Sequence, residues 1–151
     1  MKELSHIKNH SLHAYVRWVI SQQWDVLSMR AIEARLGPGW EVDVVHRDEN
    51  CQVERVSVPA GTIALHRHPG VETCEYFVCG SGVLQIGARR VELDESQPSS
   101  RQIVPIPSWA WHGGTVGPQG IVFLSIQQWR DDLALSSVAE VWDGPSVKVI
   151  I

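Results

Sequence analysis

Gly61-Thr62-Ile63-Ala64-Leu65-His66-Arg67-His68-Pro69-Gly70-Val71-Glu72 is the stretch on which the reading of this chain turns. Small and apolar residues lead into two histidines two positions apart, and a Pro-Gly turn then brings in a carboxylate. On a β-strand, residues two apart point to the same face. The imidazoles of His66 and His68 can therefore aim at one ion while Arg67 points the other way. Neutral imidazole and carboxylate are ligands for zinc, iron, nickel, manganese or copper. A second apolar run ends in Pro107-Ser108-Trp109-Ala110-Trp111-His112-Gly113-Gly114, and a closed sheet could carry His112 back to the first pair.

The sequence around this stretch has the period of strands. From Trp40 the apolar residues alternate, with Trp40, Val42, Val44 and His46 against Glu41, Asp43 and Val45. Short apolar runs follow at 53–58, 62–68, 75–79, 83–86, 90–93, 103–106 and 121–129, separated by Gly, Pro and Ser. Many short strands at such spacing predict an all-β sandwich or barrel. Val147 to Ile151 is expected as a last edge strand after the turn Asp143-Gly144-Pro145. Before Gly37-Pro38-Gly39 the period is helical instead: Leu12, Tyr15, Val16, Val19 and Ile20 recur on one face, and good helix formers continue from Val26 to Leu36. Ser11 is the expected N-cap, and either one long helix or two broken near Trp24-Asp25 fits. The division is thus a helical segment over 1–37, packing on the barrel or on a partner subunit, and a β-barrel domain over 38–151.

Taken together, the two histidine motifs resemble those of the cupins, small antiparallel jelly-roll barrels. The first cupin motif reads roughly glycine, a short strand, His-x-His, three or four residues, glutamate, about six residues, glycine. Gly61, His66, His68, Glu72 and Gly80 supply it here, with Tyr76-Phe77-Val78-Cys79-Gly80 as the closing strand. Pro107 and His112 match the second motif, although Trp109 stands at its usual glycine and Val116 where an asparagine often follows. Counted back from Gly80, the glutamate position falls on Thr73, between Glu72 and Glu75. The resemblance spans residues 52 to 130 and implies a mainly β fold, a double-stranded β-helix preceded by a helical segment. It also implies one divalent metal ion (iron, zinc, nickel or manganese) on His66, His68 and His112, with Glu72 as fourth ligand and Glu75 in reserve.

Composition bounds the rest. The chain has 151 residues and a net charge of -4, enough for one substantial core. Acids and bases are interspersed with no basic stripe, which argues against nucleic acid as a partner. No apolar run approaches the roughly 20 residues needed to span a bilayer, and the first residues, with Lys2, Glu3, His6, Lys8 and His10, do not read as a signal peptide. A cytoplasmic protein without a membrane partner is the expectation. Three cysteines, Cys51, Cys74 and Cys79, are an odd and sparse set, expected as reduced thiols.

Several further residues carry chemistry. His6, His10 and His13 would stack on one side of a helix, but frayed termini and the lack of a carboxylate make a metal site there the weaker reading. Trp109 and Trp111 flank His112, and either could wall a ligand at the metal. His46 could enter the barrel as a proton shuttle or remain a rim histidine, and Glu75 and Tyr76 are the other catalytic candidates. Cys74 is one position off the pattern of the thiol dioxygenases, cupins in which three histidines hold iron near a cysteine, so a buried free thiol is favoured. A metal-dependent oxygenase acting on a small organic molecule is the first functional reading. A non-catalytic small-molecule-binding or sensor protein is the alternative, and a sugar isomerase or epimerase using His68 and Tyr76 is a third. The apolar helical segment and the C-terminal apolar strand together predict a homodimer.

Overall fold

The structure, a computed structural model, describes residues 11–22, 24–36, 39–97 and 103–129. His6, His10, the 143–145 turn and the expected strand at 147–151 lie outside the described residues. Helix α1 covers Leu12–Gln22 and α2 covers Trp24–Ser28, the split pair that the sequence allowed. Ser11 stands before the helix, and its carbonyl accepts the Ala14 amide at 2.9 Å. Tyr15, Val16, Trp18, Val19 and Gln22 are buried in one stripe. The acceptors left open at the end of α2 are met by Arg55. Its guanidinium donates to the carbonyls of Val26, Leu27 and Met29 and pairs with Asp43 at 3.1 Å.

The helical expectation fails at residues 33–36. Glu33–Leu36 is strand β1, antiparallel to β2, Glu41–Arg47, with Glu33 opposite Val44. Glu, Ala, Arg and Leu favour a helix by propensity, yet four residues are too few to nucleate one. The Ile32 amide donates to the Val44 carbonyl at 2.8 Å, and Arg47 pairs with Glu33 at 2.8 Å. Long-range pairing overrides local preference here.

Six more strands complete the sheet: β3 Cys51–Val58, β4 Gly61–His66, β5 Val71–Ile86, β6 Arg89–Asp94, β7 Ile103–Ile106 and β8 His112–Trp129. Their order is β1-β2-β3-β8-β5-β6, with β4 also paired to β8 and β7 to β5, all antiparallel. The runs at 75–79 and 83–86 are one long bent strand, β5. The bend falls at Gly80, where φ is +91° and a Cβ would collide with the Gly120 carbonyl. Only glycine fits both conditions without strain.

Bent β5 and β8 close the sheet around one interior and leave an outer face to the helix. Val56, Val58, Ile63, Phe77, Leu84, Ile86, Val104, Ile106, Val116 and Ile121 pack in the interior. Tyr15, Val16, Trp18, Val19 and Val26 pack with Val53, Cys74, Val78, Leu124 and Ile126 on the outer face. The N-terminal apolar stripe is therefore spent on this chain's own barrel. Alternation along β5 assigns Thr73, Glu75 and Phe77 to the interior, and Cys74, Tyr76 and Val78 to the helix side.

Candidate metal centre

β4 and β8 bring the histidines together. His66 ends β4 opposite His112, the first residue of β8, and His68 follows two residues on, where the chain turns back into β5. A register shift between Ile63 and His66 adds one residue to β4, so that both of these side chains are buried despite their odd spacing. His112 shares a face with Val116 and lies opposite Ile86, both lining the interior. The ligand nitrogens of His66, His68 and His112 all lie within 4.8 Å of one another. Ring centroids are 4.2 Å apart for His66 and His112, 5.1 Å for His66 and His68, and 5.2 Å for His68 and His112.

Tautomers follow from the hydrogen bonds. His66 Nδ1 lies 2.7 Å from the Ala64 carbonyl and His112 Nδ1 lies 2.9 Å from the Ala110 carbonyl. A carbonyl only accepts, so each Nδ1 carries the proton and each Nε2 is the unprotonated nitrogen. Burial, with His112 facing it, pushes the His66 imidazole down to about 2, and burial lowers His112 as well. Three close imidazoles, two of them kept neutral by burial with their Nδ1 protons on backbone carbonyls, are a donor set suited to a first-row divalent metal.

The expected fourth ligand does not join them. Glu72 is exposed, on the strand face opposite to Thr73, and the ligating group among the described residues is the three histidines. The amide of Val71 bonds the His68 carbonyl at 3.1 Å, which sets the phase of β5 so that odd-numbered residues enter the barrel. Thr73, at the resemblance's glutamate position, is therefore the side chain that turns inward, 3% exposed. Glu75 lies two residues further along the same face, 8% exposed, and accepts a hydrogen bond from Ser125 Oγ at 3.2 Å.

Other candidates lie elsewhere. His46 sits on the helix side, because a register shift between Val44 and His46 breaks the alternation that pointed it inward. It meets Asp48 at 3.1 Å, and its ring is 5.8 Å from Trp18 and 6.4 Å from Tyr15. The Tyr15 hydroxyl donates to the same Asp48 carboxylate at 2.8 Å. Tyr76 also packs against the helix-side cluster, which separates it from the interior face that carries His66 and His112. Cys74 is buried on that side as a free thiol.

Trp109 and Trp111 take a position that the motif did not suggest. They are 59% and 41% exposed and flank Arg67, whose guanidinium carbon lies 5.3 and 4.8 Å from their ring centres. Arg67 points away from its histidine neighbours, and cation–π attraction draws both indoles to it. Trp109 takes φ +71°, the left-handed region that suits the glycine usual at this place. An indole that does approach the triad is Trp40, 6.1 Å from His66 and packed on the interior cluster. Its place at the head of the β2 alternation was the only signal for it in the sequence.

No family model and no curated protein matches this sequence. Solved structures do match, at the level of fold. A predicted oxalate decarboxylase from Thermotoga maritima superposes with TM-score 0.55 at 20% identity, over 68% of this chain and 98% of that one. A cupin-2 domain protein from Rhodospirillum rubrum gives 0.52 at 19%, over 64% of each chain. The Streptomyces protein PAC13, in a single-residue variant with uridine, gives 0.56 at 16%, over 79% and 87%. The topology and these likenesses define the class: a double-stranded β-helix of the cupin fold. Within it, the described residues form a barrel of this fold with an N-terminal helix on its outer face and three clustered histidines that could hold a metal ion. No helix among the described residues is long and apolar enough to cross a membrane.

Proposed function

We propose that this protein is a metal-dependent oxygenase, a dioxygenase in type, acting on a small organic molecule inside the barrel. The observation that carries the reading is a cluster of three imidazoles that no carboxylate joins among the described residues. His66, His68 and His112 would hold the ion through three positions and leave the remainder for small molecules. A bound first-row metal would supply Lewis acidity there and, if iron, one-electron chemistry toward dioxygen. The chain's own part is orientation and exclusion of water. Ala64 and Ala110 fix two of the rings, while Trp40 and the apolar interior keep the surroundings dry.

A non-catalytic binding or sensor protein is the competing reading, and one feature supports it. The helix α1 is tied to the β2–β3 turn through Tyr15, Asp48 and His46, so a change in the barrel can reach the helix. As a homodimer, two copies would meet through a sheet face, since α1 spends its apolar stripe on its own barrel; light scattering at high micromolar concentration tests this. For the function, elemental analysis of untagged protein followed by anaerobic iron loading and measurement of oxygen uptake with small neutral hydroxyketones and diketones is the direct experiment. Stoichiometric iron with substrate-dependent uptake supports the oxygenase. Protein that is purified metal-free and refuses iron, zinc, nickel and manganese overturns it.

A further inference from the structure

The barrel interior holds a second polar group that the histidine cluster does not use. Gln52 and Glu54 on β3, Ser125 and Gln127 on β8, and Thr73 and Glu75 on β5 form one layer, with Gln52 opposite Gln127, Glu54 opposite Ser125, and Ser125 opposite Glu75. Its hydrogen bonds have a fixed direction. Glu54 accepts the Gln52 amide at 2.6 Å and the Gln127 amide at 3.0 Å, which forces the Gln127 Nε2 toward the carboxylate. The same Nε2 also donates to Ser125 Oγ at 3.1 Å, so the Ser125 proton goes to Glu75 Oε1. Glu75 Oε2, at the end of this chain, and Thr73 Oγ1, on the same strand face, are both buried and both without a hydrogen-bond partner among the described residues.

Two orphaned polar atoms on adjacent inward positions of one strand need an explanation, since each costs about 1–3 kcal/mol when left unmet. They face the same interior as the histidines. Thr73 lies opposite Ile106 and Glu75 opposite Val104, and these line the cluster that also holds Ile86 and Val116, the neighbours of His112. They lie at the same end as well, because β5 starts from the turn that His68 begins. We propose that Thr73 and Glu75 are the second anchoring point of the ligand held at the histidines, and that they recognise a neutral hydroxyl or carbonyl oxygen. This rests on the reading of the triad as the ligand's metal site.

Charge selects the ligand class. Glu54 beside Glu75 disfavours an anion, and its own oxygens are engaged by two amides. Burial, then the Glu54 charge, raise the Glu75 carboxyl to about 8, against the Ser125 hydrogen bond. In the metal-free barrel it keeps its proton at neutral pH, so Oε2 can donate to a ligand oxygen, and the Thr73 hydroxyl can donate or accept. At these two atoms a hydroxyketone or a diol is favoured over a carboxylate, whose charge would stand beside Glu54.

The test uses the full chain loaded with redox-silent zinc, with hydroxyacetone and erythritol as probes and lactate as the anionic control, followed by ligand-observed NMR. Metal content and melting temperature are measured on every sample. The wild type should bind a neutral probe in preference to lactate. Thr73→Val and Glu75→Leu should each weaken that binding about tenfold, the loss of one buried hydrogen bond, with metal content unchanged. Glu75→Gln, which keeps a donor at the same place, should stay within about threefold of wild type. If Glu75→Leu fails to fold, the isosteric Thr73→Val carries the comparison. Zinc-loaded wild type that binds neither neutral probe, or variants that bind as wild type does, overturn the proposal. Failure to take up metal sinks the oxygenase reading instead.

Discussion

Replacing Glu75 by Gln should reshape the pH dependence of stability. The folded protein holds this carboxyl at about 8 against an ordinary value of 4.5, through burial first and the Glu54 charge second. A raised value means that the folded state binds the proton more tightly than the unfolded chain. The corresponding stability is fully present below pH 4.5 and is lost as pH rises through about 8. Each pH unit inside that window costs about a factor of ten in the folding constant, so the whole window is worth a few kcal/mol, on the order of 10 °C in Tm for a domain of this size. Glutamine keeps the shape and can accept the Ser125 bond, yet it does not titrate. Thermal melts of metal-free protein from pH 5 to pH 9 should show the wild type falling away from Glu75→Gln by roughly that amount, with the two close together at pH 5. His66 and His112 act in the opposite sense, since their lowered values remove stability as pH falls below 6.5. That contribution is common to both proteins and cancels in the difference. Parallel Tm curves for the two proteins would refute the buried, proton-bearing state of Glu75.

Three further outcomes are expected. His68→Ala should lose stoichiometric metal while the barrel stays folded, because the apolar interior does not depend on the ion, whereas Glu72→Gln should keep full metal content; metal analysis with circular dichroism decides both, and unchanged metal in a His66, His68 double variant would sink the site. Trp40→Leu should weaken binding of a ligand that reaches the triad while leaving metal in place, and the Trp109→Leu, Trp111→Leu pair should not, as read by tryptophan fluorescence and NMR titration; the reverse result would restore those two indoles as the ligand wall. Gly80→Ala should destabilise by about 2 kcal/mol or more, from the left-handed backbone and the collision with the Gly120 carbonyl. Denaturant titration showing less than about half of that would mean that the bend is not fixed by this residue.

What the sequence revealed and what it hid follow from the same two periodicities. The histidine cluster was legible because two residues apart on a strand is a strong geometric statement, and the Pro-to-His motif added an independent third point. Glu72 was the expected fourth ligand because residue chemistry outweighed strand phase. Glu72 has a ligand's side chain, but the His68–Val71 turn starts β5 with odd residues inward, and Thr73 and Glu75 take the interior. The count back from Gly80 already pointed to Thr73. His46 followed the opposite path, since a plain alternation put it inside and one extra residue after Val44 turned it to the helix. Such a shift leaves no mark in composition, only in pairing.

Thr73 stands where the resemblance places an acid, and this changes what the site can select. A carboxylate there would offer a metal dication a fourth ligand and part of its neutralising charge. Three imidazole ligands supply none of that charge. Two acids on the inward faces, Glu75 and Glu54, are already committed, one to a proton in the metal-free barrel and the other to two amides. The interior therefore presents unmet hydrogen bonds rather than an unpaired negative charge. A polar layer of this kind, set among aliphatic walls, discriminates by hydrogen-bond geometry: an analogue lacking the matching oxygen leaves Thr73 and Glu75 unsatisfied and loses far more than one lacking a methylene. Selectivity in this barrel is thus expected to follow the oxygen pattern of the ligand more than its size, and the Thr73→Val variant is the substitution that should relax it.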